Sequence, residues 1–331
     1  MRLVLSCALV ALLTGAGGAF AQAAPTPAAE EPKPFEVGKP LGSTNREGLY
    51  TPISANVKMY GSFVSAESCS YDPTRKLIVA VSRGANQNQV PNDAFVSLVN
   101  SDGTVNTPRW IGVNRNGLVL NQPFGSDIEG GKLYTADRDG GTADGAPSVS
   151  VIRMFDMATG APAGEIAVPD STGFNDIEVA ADGTIYASQT GGGQNKEPMR
   201  IYKITPDGTA SVFLDGAPLV SPNGVAIDKD GNIVVVNIGD DAVLTFSPAG
   251  ELVNTEHAAQ AGSDGLVIME DGTKYVSSVL NGGISKIAPG QPAELIASGV
   301  PSAASMCYDA GGNQLVIPLN NNNGLAFLKL D

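Results

Sequence analysis

The sequence predicts an all-β fold, a six-bladed β-propeller with four-stranded blades. One pattern recurs six times: a short apolar run, a D-G or G-G turn and a second apolar run. The copies open at Glu67, Asp127, Asn175, Asn223, Asp264 and Ala304, with spacings of 60, 48, 48, 41 and 40 residues. Strand-rich repeats of about 40–50 residues are typical of propellers. Because a propeller points the same position of every blade into one central channel, the six openers should converge in space.

The remaining strands follow from the same repeat. Turn signals such as ADG at 181–183 and KDG at 229–231 connect the two apolar runs as hairpins. A second pair of apolar runs after each hairpin predicts a third strand and an outer fourth strand. The last segment, which starts at Gly324, is a third strand with no fourth after it. The stretch Ile53–Tyr60 is therefore predicted to supply that strand and to close the ring, removing an open edge.

Composition and the N-terminal segment limit the functions that the sequence allows. The chain has 331 residues and a net charge of −14, which argues against nucleic-acid binding. Residues 1–23 read as a secretory signal with a positive start, an apolar region and a small-residue cleavage site. Residues 24–48 are predicted to form a flexible linker that begins with a Pro/Ala/Glu-rich stretch, and residues 49–331 to form the propeller. We expect a periplasmic or secreted protein with no membrane association after cleavage, and the sequence leaves its oligomeric state open.

Two cysteines remain in the mature chain, Cys69 and Cys307, in an oxidising compartment. They lie two and three residues after the first and last openers, which belong to neighbouring blades once the ring closes. Facing surfaces of adjacent blades use opposite sides of the strand, and these offsets satisfy that condition. The pattern is compatible with a disulfide between the two blades, and also with two buried free thiols.

Four openers carry oxygen donors: Glu67, Asn175, Asn223 and Asp264. Two carboxylates and two amides form an all-oxygen set of the kind that hard divalent cations prefer. Without a cation, burial of two carboxylates in a narrow channel is costly. Taken singly, Asn or Asp before Gly also suits a turn or a strand start. Their matched positions predict a metal site, with Ca²⁺ as the expected ion and Zn²⁺, Mn²⁺ and Mg²⁺ as alternatives.

The segments ESCSYD, FNDIEVAADGTIYAS, SPNGVAIDKDGNIVVVN and SDGLVIMEDGTKYVSSVLNGG resemble the senescence-marker/gluconolactonase/luciferin-regenerating-enzyme family. The resemblance runs from about Glu67 to the end of the chain. It implies a six-bladed propeller whose channel cation is held by Glu67, Asn223 and Asp264. It also implies that Asn175 contacts substrate or metal.

Two departures from the family pattern affect the expected substrate. The first motif reads Glu-Ser-Cys-Ser-Tyr where the family usually has Glu-Gly-Pro followed by an aromatic residue. Sugar-lactone members carry an Arg just before the FND segment, where this chain has Gly173. The missing Arg predicts that small or apolar lactones are better substrates than sugar acid lactones.

These features predict a metal-dependent hydrolase of a lactone or related ester, acting on a small molecule. The cation would polarise the carbonyl, and a carboxylate would activate water. Asp264 and Asp127 are the candidate catalytic bases, and Arg83, at the start of the polar loop Arg83–Asp93, is a candidate substrate contact together with Asn175. The alternative function is a non-catalytic periplasmic ligand-binding or scaffold propeller, because fold does not determine function.

Overall fold

The computed structural model describes residues 42–84, 90–112, 118–142, 146–192 and 197–331. The predicted signal, residues 1–23, lies outside the described residues. Within them the only helical element is one 3₁₀ turn, Asn320–Asn322. No helix in this part of the chain has the length and apolar character needed to cross a membrane.

The described chain starts with a hairpin of β1 (Gly42–Thr44) and β2 (Tyr50–Pro52). The side-chain oxygen of Asn45 accepts the backbone N–H groups of Glu47 and Leu49 and thereby closes the turn. Residues 42–48 were assigned to the flexible linker, and the structure instead shows a strand and a turn. The difference arises because β1 pairs with β2, a partner that composition does not reveal. The next strand, β3 (Val57–Tyr60), belongs to the last blade.

Six four-stranded antiparallel sheets form the propeller, which confirms the predicted fold class. The first blade comprises β4 (Ala66–Asp72), β5 (Leu77–Ser82), β6 (Phe95–Val99) and β7 (Val105–Gly112). The second comprises β8 (Ser126–Glu129), β9 (Lys132–Gly140), β10 (Ser148–Asp156) and β11 (Pro162–Val168). The third comprises β12 (Ile177–Val179), β13 (Ile185–Gln189), β14 (Arg200–Ile204) and β15 (Ala210–Asp215).

The remaining blades repeat this order. The fourth comprises β16 (Pro222–Ile227), β17 (Ile233–Asn237), β18 (Ala242–Phe246) and β19 (Leu252–His257). The fifth comprises β20 (Ser263–Ile268), β21 (Lys274–Ser278), β22 (Ile284–Ile287) and β23 (Glu294–Ala297). The sixth comprises β24 (Cys307–Asp309), β25 (Gln314–Leu319), β26 (Gly324–Lys329) and β3.

The inner hairpins turn where the sequence predicts. In the third blade, Gly183 has φ +85°, a left-handed conformation that glycine adopts without steric cost. The preceding Asp182 accepts the backbone N–H of Thr184 through its carboxylate. This side chain and glycine together account for the D-G signal in the sequence.

The ring closes between the two ends of the propeller. Strand β3 pairs antiparallel with β26, with Tyr60 opposite Leu325 and Val57 opposite Leu328. This confirms that the stretch before the first blade supplies the fourth strand of the last one. A disulfide between Cys69 of β4 and Cys307 of β24 joins the first and sixth blades, with the two Cα atoms 5.5 Å apart. The strand pairing therefore completes the sixth blade, and the disulfide joins that blade to the first.

The core is divided into six apolar clusters, each lying between adjacent blades. The cluster around the disulfide packs Ile78 of the first blade against Val316 and Phe327 of the sixth. Tyr60 of the closing strand stacks edge-to-face on Phe327, with ring centroids 5.2 Å apart. Apolar burial on both faces of each blade fixes the positions of the innermost strands around the channel.

Removal of the disulfide should destabilise the closed ring. The bond joins residues 238 positions apart, and the chain-entropy model assigns a loop of that size about 5 kcal/mol of stabilisation. We expect the Cys69→Ala/Cys307→Ala double variant to unfold at a lower guanidinium concentration than the oxidised wild-type protein. Reduced wild-type protein, measured with a thiol reductant, serves as the control for the cavity that the substitutions create. Equal midpoints for oxidised and reduced protein would contradict a stabilising role.

Candidate active site at the mouth of the channel

The six innermost strands, β4, β8, β12, β16, β20 and β24, surround one channel, and each contacts the next around the ring. The opening residues Glu67, Asn223 and Asp264 lie in the first two positions of their strands. They therefore share one end of the channel, which we call the mouth. Residues further along the same strands line its deeper part.

Glu67 faces Arg83 in the mouth, and both side chains are almost fully buried. The Arg83 Nε atom lies 3.6 Å from Glu67 Oε2, an ion-pair distance that exceeds a normal hydrogen bond. Another nitrogen of Arg83, Nη2, donates to Asn320 Oδ1 at 2.7 Å and to Ser65 Oγ at 3.2 Å. These bonds to the loops around the mouth hold the guanidinium beside Glu67.

Asn223 and Asp264 form a second buried pair. The Asn223 Nδ2 atom donates to Asp264 Oδ2 at 3.2 Å, so the amide oxygen of Asn223 points away from this bond. Gly224, which follows Asn223, lets the two strands approach: a Cβ there would lie 2.4 Å from the carbonyl oxygen of Asp264. The glycine of the NG motif thus has a packing reason as well as a turn preference.

Three oxygen atoms of these residues are buried without any hydrogen-bond partner: Glu67 Oε2, Asn223 Oδ1 and Asp264 Oδ1. Buried polar atoms are rarely left unpaired in native proteins, because desolvation then goes uncompensated. Within the described residues, no group of three or more His, Cys, Asp or Glu side chains is placed to hold a metal ion. Any cation here would therefore depend on the amide oxygens as well as the two carboxylates.

Electrostatics in the mouth disfavour two ionised carboxylates. Burial raises the pKa of Glu67, against the opposing effect of Arg83 and Arg138. Burial also raises the pKa of Asp264 well above its usual range, and the negative charges of Glu67 and Asp176 act in the same direction. Positive charge placed between Glu67 and Asp264 would relieve both effects.

Asn175 lies beside this cluster and lines a separate, half-open cavity of about 180 Å³. Its Nδ2 atom donates to Thr190 Oγ1 at 3.0 Å. The same cavity is lined by Phe124, Arg138 and Glu197. Because Phe124 also stacks on Arg83 of the mouth, this cavity adjoins the mouth, and we call it the rim cavity. Of the four predicted ligands, Asn175 alone lines it.

Asp127 lies apart from the other sequence candidates. It lines a deeper cavity of about 190 Å³ with Asp176 and Glu178, and its two carboxylate oxygens accept the backbone N–H groups of Ile128 and Val179. Burial raises the pKa of Asp127, which these two hydrogen bonds oppose. The side chain is held as a structural acceptor below the mouth.

The opener of the second blade is Phe124, three residues before Asp127. The backbone N–H of Gly125 donates to the carbonyl of Asn175, just as that of Ser305 donates to the carbonyl of Glu67. The residues before these donors, Phe124 and Ala304, are therefore equivalent. The sequence pattern placed the opener at Asp127 because the G-G turn shortens this hairpin and displaces the apparent repeat.

Sequence reasoning missed two polar residues of the channel. Asp176 is buried between the mouth and the deeper cavity, and its carboxylate accepts the N–H of Val225. Burial raises the pKa of Asp176 to about 7. Arg138 reaches the rim from β9, and a Cβ on Gly173 would lie 3.3 Å from its Cζ atom. The only sequence signal for Arg138 was its place beside a Gly-rich segment.

The buried carboxyl of Asp176 predicts a pH-dependent stability. Its pKa is about 7 in the folded protein against a usual value of 3.8, so the native state holds a proton that the unfolded chain has lost. The free energy of unfolding of chelator-treated protein should therefore fall as pH rises between these two values. In Asp176→Asn this decline should be smaller, as urea denaturation at several pH values can measure. Exposed Asp230→Asn is the control, and an unchanged slope in Asp176→Asn would contradict the assignment.

Comparisons with known proteins agree with this architecture. Residues 148–317 match the model of the SMP-30/gluconolactonase/LRE-like region, whereas no curated protein matches the chain. Among solved structures, one named as a gluconolactonase from structural genomics has a TM-score of 0.57 at 17% identity, covering 87% of this chain and 97% of its own. A gluconolactonase from Xanthomonas campestris has a TM-score of 0.56 at 17% identity, with 84% and 91% covered.

A third structure, virginiamycin B lyase from Staphylococcus aureus, has a TM-score of 0.51 at 13% identity and covers 83% of this chain and 100% of its own. At such identities the structural likeness shows a shared fold, and the activities named belong to those proteins. The family model, by contrast, spans more than half of the chain. The chain is therefore a member of the SMP-30/gluconolactonase/LRE-like family.

Proposed function

We propose that this protein is a metal-dependent hydrolase of a lactone or related ester, with its active site at the mouth of the channel. The observation that carries the proposal is the set of three buried oxygens without hydrogen-bond partners, on Glu67, Asn223 and Asp264. Membership of the gluconolactonase-like family supports the reaction class. The same export signal that the sequence predicts would place the enzyme in the periplasm or outside the cell.

The donor set fits a hard divalent cation, and Ca²⁺ suits it best. Glu67, Asn223 and Asp264 would hold the ion, with Asn175 at the rim as a fourth oxygen donor. The two carboxylates balance two positive charges, and Ca²⁺ accepts carboxylate and amide oxygens in flexible geometry. Zn²⁺, Mn²⁺ and Mg²⁺ remain alternatives. When bound, the cation would polarise the carbonyl of the ester and stabilise the charge that develops on its oxygen.

Asp264 is the residue best placed to accept a proton from the attacking water. Its Oδ2 atom is held by Asn223, while Oδ1 has no partner. Water adds to the carbonyl carbon, the ring C–O bond breaks, and the proton accepted by the Asp264 carboxylate passes to the departing alkoxide. Both oxygens of Asp127 accept backbone hydrogen bonds, which makes Asp127 the weaker of the two candidate bases.

Arg83 and the rim residues would orient the substrate. The Arg83 guanidinium lies beside Glu67 and is held by Ser65 and Asn320. It fixes the Glu67 carboxylate and adds positive charge to the mouth. A small molecule is the expected partner, because the cavity lined by Arg138 and Asn175 measures only about 180 Å³.

Metal content tests the donor set directly. Protein purified without chelator should contain about one divalent ion per chain, the stoichiometry of a single oxygen-ligand site. Glu67→Gln keeps the shape of the side chain and removes its charge, so elemental analysis should show less metal. Glu251→Gln, at an exposed turn, is the control. Equal metal content in wild type and Glu67→Gln would count against the site.

Turnover tests the role of Asp264. Asp264→Asn should lower kcat for a responsive lactone by about 10²–10⁴, the usual contribution of a general base. Thermal stability of the metal-free variant should not fall, because burial already disfavours the ionised form of this carboxyl. Asp127→Asn should reduce turnover less. Hydrolysis insensitive to chelator would contradict the role of the metal. No turnover of gluconolactone, simple lactones and aryl esters with any of the four ions would favour a binding propeller instead.

A further inference from the structure

Two arginine side chains flank one aromatic ring at the mouth. The guanidinium carbon of Arg83 lies 4.6 Å from the centroid of Phe124, and that of Arg138 lies 4.7 Å from it. Arginine stacks well on aromatic faces and keeps its N–H donors free in the plane of the group. Phe124 therefore contacts both guanidinium groups without occupying their hydrogen-bond donors.

The two arginines differ in what they bind. Arg83 is held by Ser65, Asn320 and the Glu67 carboxylate. Among the described residues, the structure gives the guanidinium of Arg138 no hydrogen bond or ion pair. The adjacent Asp137 is committed elsewhere, since its Oδ2 atom accepts from Arg153 Nε at 2.7 Å. Arg138 thus offers a planar set of donors to whatever enters the rim cavity.

The cavity in front of Arg138 is shaped around that group. Arg138 projects from β9, where it pairs with Ser150 of β10, so its backbone is held in a sheet. Gly173 leaves the space that the guanidinium occupies, since a Cβ there would lie 3.3 Å from its Cζ atom. Asn175 and Thr190 line the same cavity and offer further polar atoms to a ligand. The guanidinium of Arg138 therefore lies beside Gly173, in space that a larger residue at position 173 would fill.

We propose that Arg138 binds a carboxylate of the substrate, so that the enzyme acts on lactones or esters that carry a second, anionic group. This inference rests on the proposed function and narrows its substrate class. A guanidinium matches a carboxylate through two parallel N–H···O bonds. The ester carbonyl would then lie towards the proposed cation site of Glu67, Asn223 and Asp264.

Local charge favours a carboxylate over a phosphate. Glu197 lines the cavity with Arg138, and its negative charge repels a dianion more than a monoanion. The protein as a whole carries a net charge of −14, so an anionic substrate needs local positive charge to be captured. Screening limits the repulsion from distant surface carboxylates to about 8–10 Å in physiological salt, so the nearby charges of Arg83, Arg138, Glu67 and Glu197 decide anion binding at the rim.

Paired substrates test the inference. The probes are 5-oxotetrahydrofuran-2-carboxylate and its neutral carboxamide, two γ-lactones of nearly equal size. Wild-type enzyme should show kcat/KM at least about tenfold higher for the carboxylate, since a charge-assisted bidentate contact is worth that much or more. In Arg138→Gln the ratio of kcat/KM for the carboxylate to kcat/KM for the carboxamide should fall by about the same factor, mainly because KM for the carboxylate rises.

Matched variants separate a binding role from a structural one. Gly173→Leu should displace the Arg138 guanidinium and lower the ratio without changing the net charge. Arg200→Gln removes the same charge from an exposed ion pair with Asp215 and should leave the ratio as in wild type. General damage to the fold would lower kcat/KM for both lactones alike. A wild-type ratio near one, or a ratio unchanged in both Arg138→Gln and Gly173→Leu, would overturn the inference.

Calorimetry distinguishes this failure from failure of the proposed function. Tetrahydrofuran-2-carboxylate and its carboxamide have no ester to hydrolyse, so their binding does not depend on catalysis. We expect the carboxylate to bind more tightly, and Arg138→Gln to abolish the difference. If that difference is seen but no lactone is hydrolysed, the carboxylate site stands and the lactonase proposal fails. If lactones are hydrolysed without any carboxylate preference in either assay, Arg138 is a packing residue only.

Discussion

Closure of the ring is the constraint on which the rest of the structure depends. Strand β3 comes from the N-terminal side of the propeller and completes the last blade by pairing with β26. The disulfide between Cys69 and Cys307 joins the first and the last blade at their innermost strands. Without this closure the innermost strands would form an open fan, and residues more than a hundred positions apart would not share one channel.

The closed ring creates an electrostatic problem at its axis. Glu67, Asp176 and Asp264 all lie buried at or near the mouth, and the pKa of each carboxyl is raised mainly by loss of water. A fold with no function at this point would replace such groups by apolar residues, because buried charges are costly when unpaired. The unpaired oxygens are consistent with a ligand of positive charge that offsets this cost.

Positive charge is also built into the mouth. Arg83 lies against Glu67, while Arg138 remains without a polar partner in the described part of the chain. Both stack on Phe124, a residue with no polar function of its own. The mouth therefore contains an acidic side suited to a cation and a basic side suited to an anion. In the proposed function, a cation at the acidic side would bind the ester carbonyl, and Arg138 at the basic side would bind the carboxylate of the same substrate.

The sequence by itself determined the number of blades, the inner hairpins and the strand that closes the last blade, because these follow from local periodicity, turn chemistry and one missing strand. It also predicted Glu67, Asn175, Asn223 and Asp264 as a group, since equal positions in a repeat converge in a closed ring. Only the tertiary structure decided that Asp127 lies below the mouth and that Phe124 takes its place as opener. The tertiary structure alone also revealed the position of Arg138, whose side chain extends from β9 to the space beside Gly173. The sequence could not show this contact, because a contact between separate blades does not affect the local residue pattern of either segment.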